Sequence, residues 1–303
     1  MGFKSGFVAI TGAPNAGKSS LFNAVVGEKI AIVTPKPQTT RHDIKGILST
    51  ERYQIVFIDT PGILEAHDRL NACLVQSAVE AIGGVDIVYH VLDILESTHE
   101  REKPIRDIMS SVSSGIAKFL VINKIDLLPE PSRWIDKIGD FIDQTLYREI
   151  IPVSSTAKMY LEELIQKTVD YLPEGQPLYD EELVTDRNER FLVSEIVREK
   201  IFEYTGEEIP YSIATLVDEF RENPDGKHFI RVIIYVERES QKGILIGKSG
   251  SLIRTIGTAS RKDIQEIVQH PVYLELWVKV AKNWKKNDFD LKRFGYSVPP
   301  KIR

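Results

Sequence analysis

The chain has 303 residues, of which 42% are hydrophobic and 27% are charged, as in globular proteins of one to three domains. Its net charge of −5 argues against a uniformly basic nucleic-acid binder, and its single cysteine, Cys73, excludes an internal disulfide and a cysteine-based metal site. No apolar run approaches the roughly 18 residues that span a bilayer, and no signal peptide fits the N-terminus. We therefore expect a soluble, cytoplasmic protein.

The first predicted element is a short buried strand at 7–10, followed by a glycine-rich segment and a helix with apolar residues at helical spacing. The segment, Gly12-Ala-Pro-Asn-Ala-Gly-Lys-Ser19, fits the phosphate-binding pattern G-x-x-x-x-G-K-[ST]. Its glycines allow backbone N–H groups to point at phosphates, and the helix N-terminus adds positive dipole. Lys18 is predicted to reach the β- and γ-phosphates, and Ser19 to bind Mg²⁺. The predicted nucleotide-binding residues are Gly12, Ala13, Pro14, Asn15, Ala16, Gly17, Lys18, Ser19 and Ser20.

A polar loop with two prolines is predicted at 34–42, after the first helix. In GTPases, a loop at this position supplies a threonine that senses Mg²⁺ and the γ-phosphate. Thr40 is the first candidate for this metal-binding role, and Thr39 is the second.

Two paired strands are predicted next, at 45–49 and 53–59, and the second ends in Asp59-Thr-Pro-Gly62. This D-x-x-G motif gains specificity from its position after the phosphate-binding loop. Asp59 is predicted to hold Mg²⁺, most simply through water, and the Gly62 N–H to meet the γ-phosphate. Thr60 and Pro61 complete the predicted nucleotide contacts of this segment.

The residue after this motif is Ile63, where Ras-like enzymes have a glutamine that orients the attacking water. Because isoleucine cannot hydrogen-bond water, hydrolysis here needs another way to place water and another positive charge. We hypothesise that Asn15 helps to bind a monovalent cation, K⁺; the alternative is that it only shapes the loop. The predicted catalytic residues are therefore Asn15, Lys18, Thr40 and Gly62.

Further helices are predicted at 70–82, 100–112, 134–146 and 160–172, and further strands at 86–93, 118–122 and 149–154. The strand at 118–122 ends in Asn123-Lys-Ile-Asp126, the N-K-x-D motif that reads guanine. The Asp126 carboxylate would accept hydrogen bonds from the guanine N1–H and 2-amino groups, a donor pair that adenine lacks. The remaining predicted nucleotide contacts are Asn123, Lys124, Ser154, Ser155 and Thr156, the last three because a backbone N–H there would meet guanine O6.

This alternation of strands and helices predicts an α/β fold with a mostly parallel, doubly wound sheet. All of the motifs fall at the C-terminal ends of predicted strands, where ligands bind in such sheets. The polar segment from Pro173 to Glu182, with two prolines and a glycine, indicates a linker.

The second half is predicted to contain an amphipathic helix at 186–204 and a hairpin of strands at 212–221 and 229–236, joined by a turn at 223–226. Gly247-Lys-Ser-Gly250 then lies between two helical stretches, and a final strand follows at 272–280. In KH domains a G-x-x-G loop in this order of elements clamps the backbone of single-stranded nucleic acid. A simple helix–helix turn is the alternative.

The C-terminal end is basic, since residues 242–303 contain 13 lysines and arginines against 5 acidic residues. Its tail interleaves basic residues with Trp284, Phe289, Phe294 and Tyr296, which either stack on bases or pack the tail onto the domain. The predicted RNA-binding residues are Ile246, Gly247, Lys248, Ser249, Gly250, Arg254, Lys282, Trp284, Lys285 and Lys286.

These motifs, together with Pro37-Gln-Thr-Thr-Arg-His42 and Ile256-Gly-Thr258, make the chain resemble the Era family of bacterial GTPases over essentially its whole length. The resemblance implies a Ras-like P-loop NTPase domain with a mixed sheet at 1–172, a linker at 173–184, and a type II KH domain with a basic tail at 185–303. The chain departs from the family's usual Ser-Ala at Ser155, which affects only that contact.

The resemblance also implies a function. Era-like proteins bind GTP with Mg²⁺, hydrolyse it slowly to GDP, bind the 3′ end of 16S rRNA and assist assembly of the small ribosomal subunit. Peripheral association with the inner membrane is a further family property. Three alternatives stay open: a GTP-sensing RNA-binding module with negligible hydrolysis, a nucleic-acid-stimulated ATPase, and a GTPase of RNA modification.

Overall fold

The computed structural model describes residues 2–63, 68–138, 143–206, 208–224 and 226–300. These residues form two compact units: the first contains residues 2–63 and 71–186, and the second contains residues 68–70 and everything from Arg187 onward. Among the described residues, no helix combines the length and the apolar content that crossing a bilayer requires.

The first unit is built on a six-stranded sheet in the order β2-β3-β1-β4-β5-β6. Its strands are β1 Lys4–Gly12, β2 Ile44–Ser49, β3 Tyr53–Asp59, β4 Ile87–Asp93, β5 Ala117–Asn123 and β6 Glu149–Pro152. All neighbouring strands are parallel except the antiparallel pair β2 and β3. The predicted doubly wound mixed sheet is therefore confirmed.

Helices accompany this sheet: α1 Lys18–Val26, α2 Arg69–Gly83, α3 His99–Ser111, α4 Ile135–Ile138 and α5 Leu161–Tyr171. Every residue of β4 is buried, as expected for a parallel strand that is covered on both faces. The helix predicted at 134–146 is not continuous in its described part. Only Ile135–Ile138 is α-helical, Gln144–Leu146 is a 3₁₀ turn, and residues 139–142 lie outside the described chain.

The sheet register explains why motifs far apart in sequence meet. In the parallel pair β1 and β3, Ile10 lies opposite Asp59, and in the pair β4 and β5, Asp93 lies opposite Asn123. Gly12 lies opposite Val91 in the pair β1 and β4. The phosphate-binding loop and the ends of β3, β4 and β5 therefore share one edge of the sheet.

The segment predicted as a linker is hydrogen-bonded to the first unit. The Ile47 N–H of β2 donates to the Val184 carbonyl at 2.8 Å, and the Gly175 N–H donates to the Phe3 carbonyl at 2.9 Å. The fully buried side chain of Gln54 accepts from the N–H groups of Leu178 and Tyr179, at 2.7 and 2.9 Å. Residues 175–184 are thus held to the first unit at Phe3, at β2 and at β3.

The second unit combines helices with a three-stranded sheet in the order β7-β8-β9. Its elements are α6 Glu189–Tyr204, α7 Glu208–Ser212, β7 Ala214–Glu222, β8 His228–Val236, α8 Glu239–Ile246, α9 Ser251–Val268, β9 Val272–Val280 and α10 Asp288–Arg293. β8 pairs antiparallel with β7 and parallel with β9. The predicted strand at 212–221 begins two residues late, because Glu208–Ser212 forms the short helix α7.

Candidate functional site

The phosphate-binding loop joins β1 to α1 in a conformation that requires glycine. Gly12 has φ +149°, and a Cβ built there would lie 2.3 Å from the Val91 carbonyl oxygen. Gly17 has φ +88°, and its Cβ would lie 2.3 Å from the Asn123 side-chain nitrogen. Asn15 adopts φ +64°, a left-handed conformation that asparagine tolerates better than most residues. The loop therefore packs too tightly against β4 and β5 for larger residues.

A cavity of about 440 Å³ lies between this loop and the polar loop that precedes β2. Among the predicted site residues, those that line it are Pro14, Asn15, Gly17, Lys18, Ser19, Ser20, Thr40, Gly62 and Lys124. The other predicted nucleotide contacts are not among its lining residues: Gly12, Ala13, Ala16, Asp59, Thr60, Pro61, Asn123, Asp126, Ser154, Ser155 and Thr156. The phosphate-side motifs therefore converge on a single opening in the described part of the first unit.

The Lys18 ammonium is buried at the floor of the loop, where it donates to the Ala13 carbonyl oxygen at 2.9 Å. Burial lowers its pKa from 10.5 to about 8, although the nearby carboxylates of Asp59 and Glu102 favour the charged form. An anion bound in the loop would stabilise the ammonium further. Lys18 is thus placed to neutralise phosphate charge.

Three oxygen-bearing side chains meet beside the loop. The Ser19 hydroxyl lies 2.7 Å from the Thr40 hydroxyl and donates to Asp59 Oδ2 at 2.7 Å. The Thr40 hydroxyl also lies 3.1 Å from Asp59 Oδ2. The neighbouring Thr39 hydroxyl instead contacts Thr34 and the Lys36 carbonyl, both at 2.7 Å. Of the two candidate threonines, Thr40 is therefore the one whose hydroxyl joins this cluster.

Asp59 is fully buried, and its Oδ1 atom makes no hydrogen bond with the described part of the chain. Burial raises its pKa to about 6, even though Ser19, Lys18 and Thr40 all favour the charged form. A buried carboxylate with a free oxygen beside two hydroxyls is an oxygen-donor set that fits Mg²⁺. The residues present at this point therefore match the metal that the motifs predict.

Gly62 lies against the phosphate-binding loop, since a Cβ built there would be 3.1 Å from Pro14. The next residue, Ile63, is 3% exposed, donates its N–H to the Gly12 carbonyl and packs with Ala13 in the core. The Thr60 hydroxyl donates to the Ile10 carbonyl at 2.9 Å. Thr60 and Ile63 are thus structural, and the side chain after the D-x-x-G motif is directed away from water.

Arg101 and Glu96, which lie at or beside the cavity, were not singled out from the sequence. The Arg101 guanidinium donates to the Pro14 carbonyl at 2.5 Å and to the Glu96 carboxylate at 2.7 Å. Glu96 itself lines the cavity. The Asn15 amide nitrogen donates to the Pro35 carbonyl at 3.2 Å, which joins the two loops that flank the opening. No motif marks Arg101, because only the packing of α3 brings it to the loop.

The guanine-reading motif is held by hydrogen bonds at the end of β5. The Asn123 amide donates to the Ala16 carbonyl at 3.0 Å, so it ties this motif to the phosphate-binding loop. Lys124 is in the left-handed region, at φ +66°, and its ammonium contacts Asp93 Oδ2 at 2.6 Å. Asp126, in the 3₁₀ turn that follows, is half-buried. Asp93, at the end of β4, was not predicted as a site residue. A carboxylate at the C-terminal end of a buried strand could have indicated that it lies near the ligand.

The N–H groups proposed to meet guanine O6 are largely engaged within the protein. The Ser155 N–H and hydroxyl both donate to Asn123 Oδ1, at 3.1 and 2.8 Å. The Ser154 N–H donates to the Met159 carbonyl. Guanine O6 would therefore compete with Asn123 Oδ1 for the Ser155 N–H, and the guanine contacts of Ser154, Ser155 and Thr156 stay predictions.

The G-x-x-G loop of the second unit connects α8 to α9. Gly247 has φ +74°, and a Cβ built there would lie 2.8 Å from the Leu252 Cβ. Ser249 and Gly250 also have positive φ, at +52° and +76°. Lys248 and Ser249 are exposed at its tip. The loop is a tight, accessible backbone turn at the N-terminus of an 18-residue helix.

Basic side chains continue from this loop along α9. An open groove of about 990 Å³ follows the helix and is lined by Arg254, Thr258, Arg261 and Lys262, among others. These residues offer cations and hydroxyls to a phosphate backbone.

Trp284 corrects one prediction. It is fully buried, its indole N–H donates to the Ser212 carbonyl at 3.0 Å, and Phe294 lies edge-on to it. The prediction that Trp284 binds RNA is therefore wrong in this conformation, since no ring face is open to a base. Lys285 pairs with Glu237 at 2.9 Å, while Lys282 and Lys286 are exposed. Trp284, Phe294 and Tyr296 are buried and pack the tail onto the unit, whereas Phe289 is 75% exposed.

Two family models match separate parts of the chain. A model described as 50S ribosome-binding GTPase matches residues 7–124, and a KH domain model matches residues 208–285. The first range contains the phosphate-binding loop and the cluster at Asp59, and the second contains the G-x-x-G loop. The sequence-based prediction of a GTPase domain followed by a KH domain is confirmed.

Full-length relatives share both parts. GTPase Era of Geobacter sp. (strain M21) is 45% identical over 294 residues, covering 97% of this chain and 98% of the relative. GTPase Era of Geobacter metallireducens is 43% identical over 296 residues, with the same coverage. The chain belongs to the GTPase Era family.

Solved Era structures have the same fold over nearly the whole chain. A crystal structure of Era with MgGDPNP and nucleotides 1506–1542 of 16S ribosomal RNA is 36% identical, has a TM-score of 0.93, and covers 98% of this chain and 100% of the other. An Aquifex aeolicus Era variant bound to GDP·AlF4⁻ is also 36% identical, with a TM-score of 0.92. Mg²⁺ and a guanine nucleotide are therefore the ligands that family membership indicates for the first unit.

Proposed function

We propose that this Era-family chain is a GTP-binding and GTP-hydrolysing switch that binds the 3′ end of 16S rRNA and assists maturation of the small ribosomal subunit. The observation that carries the proposal is the cluster of Ser19, Thr40 and Asp59 beside the phosphate-binding loop, which joins three separate motifs within 3.1 Å. Thr40 belongs to a loop that also lines the cavity, so a ligand there contacts a segment able to report its state.

In this proposal the loop amides and Lys18 hold the phosphates, while Ser19, Thr40 and Asp59 hold Mg²⁺. The metal would neutralise negative charge on the β- and γ-phosphates. Gly62 is proposed to donate its N–H to the γ-phosphate, which its packing against Pro14 of the loop supports. The described side chains that line the cavity offer no convincing general base, and phosphoryl transfer depends mainly on positioning and charge stabilisation.

Asn15 is proposed to bind K⁺, which would supply a positive charge at the phosphates. Ile63, which stands where Ras-like enzymes have a glutamine, cannot assist hydrolysis itself. The support for Asn15 is its position: Asn15 lines the cavity, is exposed, and is linked to Pro35 of the opposite loop. Single-turnover GTP hydrolysis is expected to be faster in potassium than in sodium at equal ionic strength. Equal rates would remove the cation from the proposal.

The guanine base is proposed to lie at the Asn123-Lys-Ile-Asp126 end of the site, with Asp126 accepting its N1–H and 2-amino donors. Asn123 and Lys124 are held in place by Ala16 and Asp93, which pre-organises the motif. Retained GTP binding after removal of the Asp126 carboxylate would instead favour the nucleic-acid-stimulated ATPase.

The second unit is proposed to hold single-stranded rRNA at the G-x-x-G loop and along α9, through Ile246, Gly247, Lys248, Ser249, Gly250 and Arg254. The exposed Lys282 and Lys286 add cations. Its physiological partner is then the small ribosomal subunit in the cytoplasm. Peripheral contact with the inner membrane is proposed from family membership alone, and co-flotation of the purified chain with anionic vesicles tests it.

A GTP-sensing RNA-binding module with negligible hydrolysis is the second candidate, which the buried, apolar Ile63 favours. Single-turnover hydrolysis with and without the 3′-terminal rRNA segment separates the two. Our proposal expects slow hydrolysis that RNA alters, at a rate well above that of GTP in buffer. A rate equal to that of GTP in buffer, under both conditions, would establish the module instead.

A further inference from the structure

The sheet of the second unit has an outer face that the proposed function does not use. In β8 and β9 the even-numbered residues, such as Ile230, Val232, Leu274 and Leu276, belong to the core that α6 and α9 cover. Because side chains alternate along a strand, the odd-numbered residues face the opposite side. The G-x-x-G loop and the groove along α9 lie on the helical side, so this outer face is separate from them.

Cations and rings alternate across this outer face. The Arg221 guanidinium lies 4.8 Å from the Phe229 ring centroid, and Arg231 lies 5.2 Å from the same ring. The Arg231 guanidinium also lies 4.6 Å from the Trp277 ring centroid, and the Lys279 ammonium lies 5.6 Å from the same centroid. We refer to these five residues, together with Tyr273, as the outer ladder. Tyr273 stacks on Phe229 at 5.8 Å with an interplanar angle of 17°.

The rings of the outer ladder are exposed to solvent, whereas other residues of the same face are covered. Trp277 is 46% exposed and Tyr273 is 51% exposed. Tyr235, on the same side of β8, is only 4% exposed because Phe294 of the C-terminal tail packs against it, with ring centroids 5.0 Å apart. The tail therefore covers one end of the outer face and leaves the ladder uncovered.

Carboxylates hold the ladder's arginines in place. Glu275 and Glu219 each contact Arg231 at 2.9 Å, and Glu219 also contacts Arg221 at 2.8 Å. These ion pairs hold the two guanidinium planes beside the rings, and the carboxylates balance most of the positive charge of the arginines. A double helix is bound mainly through its phosphates, whereas unstacked bases bind ring and guanidinium faces. Pre-organised rings with little net charge therefore suit the bases of a single strand better than a duplex or an acidic peptide.

We infer that the outer ladder is a second binding surface for single-stranded RNA, which takes nucleotides that leave the G-x-x-G groove across β9. The inference rests on the proposed RNA binding by the second unit. β9 is an edge strand, with one face toward α9 and the other carrying Tyr273 and Trp277. A KH loop clamps about four nucleotides, whereas the related Era structure holds nucleotides 1506–1542. RNA of that length extends well beyond one groove.

The test compares two RNAs by fluorescence anisotropy, using the full chain with Mg²⁺ and GDPNP. One RNA has about four to six nucleotides and fills only the groove; the other is the segment 1506–1542. Trp277→Leu and Tyr273→Leu remove the ring faces and keep apolar bulk on the sheet. Tyr171→Leu is the matched control, since Tyr171 is a 40% exposed ring in the first unit.

Loss of one stacked base is expected to weaken binding of the long RNA about tenfold in each ladder variant. Binding of the short RNA, and both affinities of Tyr171→Leu, are expected to stay unchanged. The long RNA should also quench the fluorescence of the exposed Trp277. Trp277→Phe should lose that quenching and keep only the signals of the buried Trp284 and of Trp134 in the first unit.

Unchanged affinity of the ladder variants for the long RNA would overturn the inference. The outer ladder would then bind a protein partner or serve only to stabilise the sheet. Equal weakening of both RNAs would also overturn it, because the effect would then act through the groove. If the unaltered chain binds neither RNA, the proposed function itself fails, and the two failures are thereby distinguished.

Discussion

At the scale of single residues, Asp59 is the group on which the metal site depends. It is a buried carboxylate with one oxygen bonded to Ser19 and Thr40 and the other without a partner in the described chain. Because burial disfavours its charge, its pKa is raised from 3.8 to about 6 when no metal is present. The folded chain then holds this proton more tightly than the unfolded chain, so this group stabilises the metal-free fold as the pH falls from 6 towards 4.

Mg²⁺ must displace that proton, so we predict that Mg²⁺ binding weakens below about pH 6, by up to about tenfold per pH unit. The measurement is the ¹³C shift of the Asp59 carboxyl carbon, followed by pH titration with and without Mg²⁺. The midpoint is expected near 6 without metal and well below that with metal. A metal-free midpoint near 3.8 would contradict the account.

A second prediction at this scale concerns the choice of base. Asp126→Asn replaces a double acceptor by a group that also donates, so GTP affinity is expected to fall by about 10⁴-fold while XTP binds instead. Competition with a fluorescent nucleotide measures both affinities. Asp107→Asn, at an exposed position on α3, is the control and should bind GTP as before.

The choice between Thr39 and Thr40 shows how far the sequence alone can identify single site residues. The motifs placed Lys18, Ser19 and Asp59 from their spacing alone. Adjacent Thr39 and Thr40 carry the same chemistry, and only the folded loop separates them, by turning one hydroxyl to Thr34 and the other to Asp59. Arg101 carried no local signal at all, since its contact with Pro14 spans 87 positions of the chain.

At the scale of elements, the loop between α8 and α9 depends on its first glycine. Gly247→Ala would place a Cβ 2.8 Å from Leu252 at a φ of +74°, so the loop must change shape. We predict that this variant loses at least about tenfold in RNA affinity because the backbone approach to phosphate is lost. Guanine nucleotide affinity should not change.

The control for that variant is Gly243→Ala in α8, where a new Cβ meets nothing within 4 Å. It should bind RNA normally and stabilise the helix by about 0.5–1 kcal/mol. Equal RNA binding by Gly247→Ala and Gly243→Ala, measured by anisotropy, would show that the loop does not hold RNA.

A second element-scale prediction concerns the segment 175–184. The Gln54 side chain bonds the N–H groups of Leu178 and Tyr179 and the Tyr179 carbonyl, all from a fully buried position. Gln54→Ala leaves these groups without partners, so the free energy of unfolding should fall by about 2–3 kcal/mol. Limited proteolysis should then cut within 175–184. The exposed Gln166→Ala is the control, and resistance of Gln54→Ala to cleavage would count against a bound linker.

The predicted elements succeeded where periodicity was strong and failed where helices are short. The apolar strands β1, β3, β4 and β5 were located within a few residues, because buried parallel strands have continuous apolar runs. The segment at 173–184 reads as a polar linker, and its attachment through Gln54 depends on a partner about 125 positions away. The helix at 134–146 and the short α7 were misjudged, since helical spacing over a few residues does not fix a boundary.

At the scale of the whole molecule, two units with different ligands share one chain. The first brings a carboxylate, two hydroxyls and a buried lysine to one edge of a mixed sheet. The second presents a glycine-bounded loop, a basic helix and an exposed set of rings. The fold class and the guanine and RNA motifs were predictable from sequence because each motif is local. The choice for Trp284 between stacking on bases and packing the tail was not predictable, because its partners come from Ser212 and from the far end of the tail.

Crosslinking in living cells tests the central claim most directly. The chain would be crosslinked to RNA by ultraviolet light, and the bound bases mapped for the unaltered chain and for Gly247→Ala. We predict crosslinks concentrated within the 3′-terminal segment of 16S rRNA, contacting residues 242–303, and a marked loss of them in Gly247→Ala. Crosslinks spread evenly over cellular RNA, or equal in the two proteins, would contradict the account.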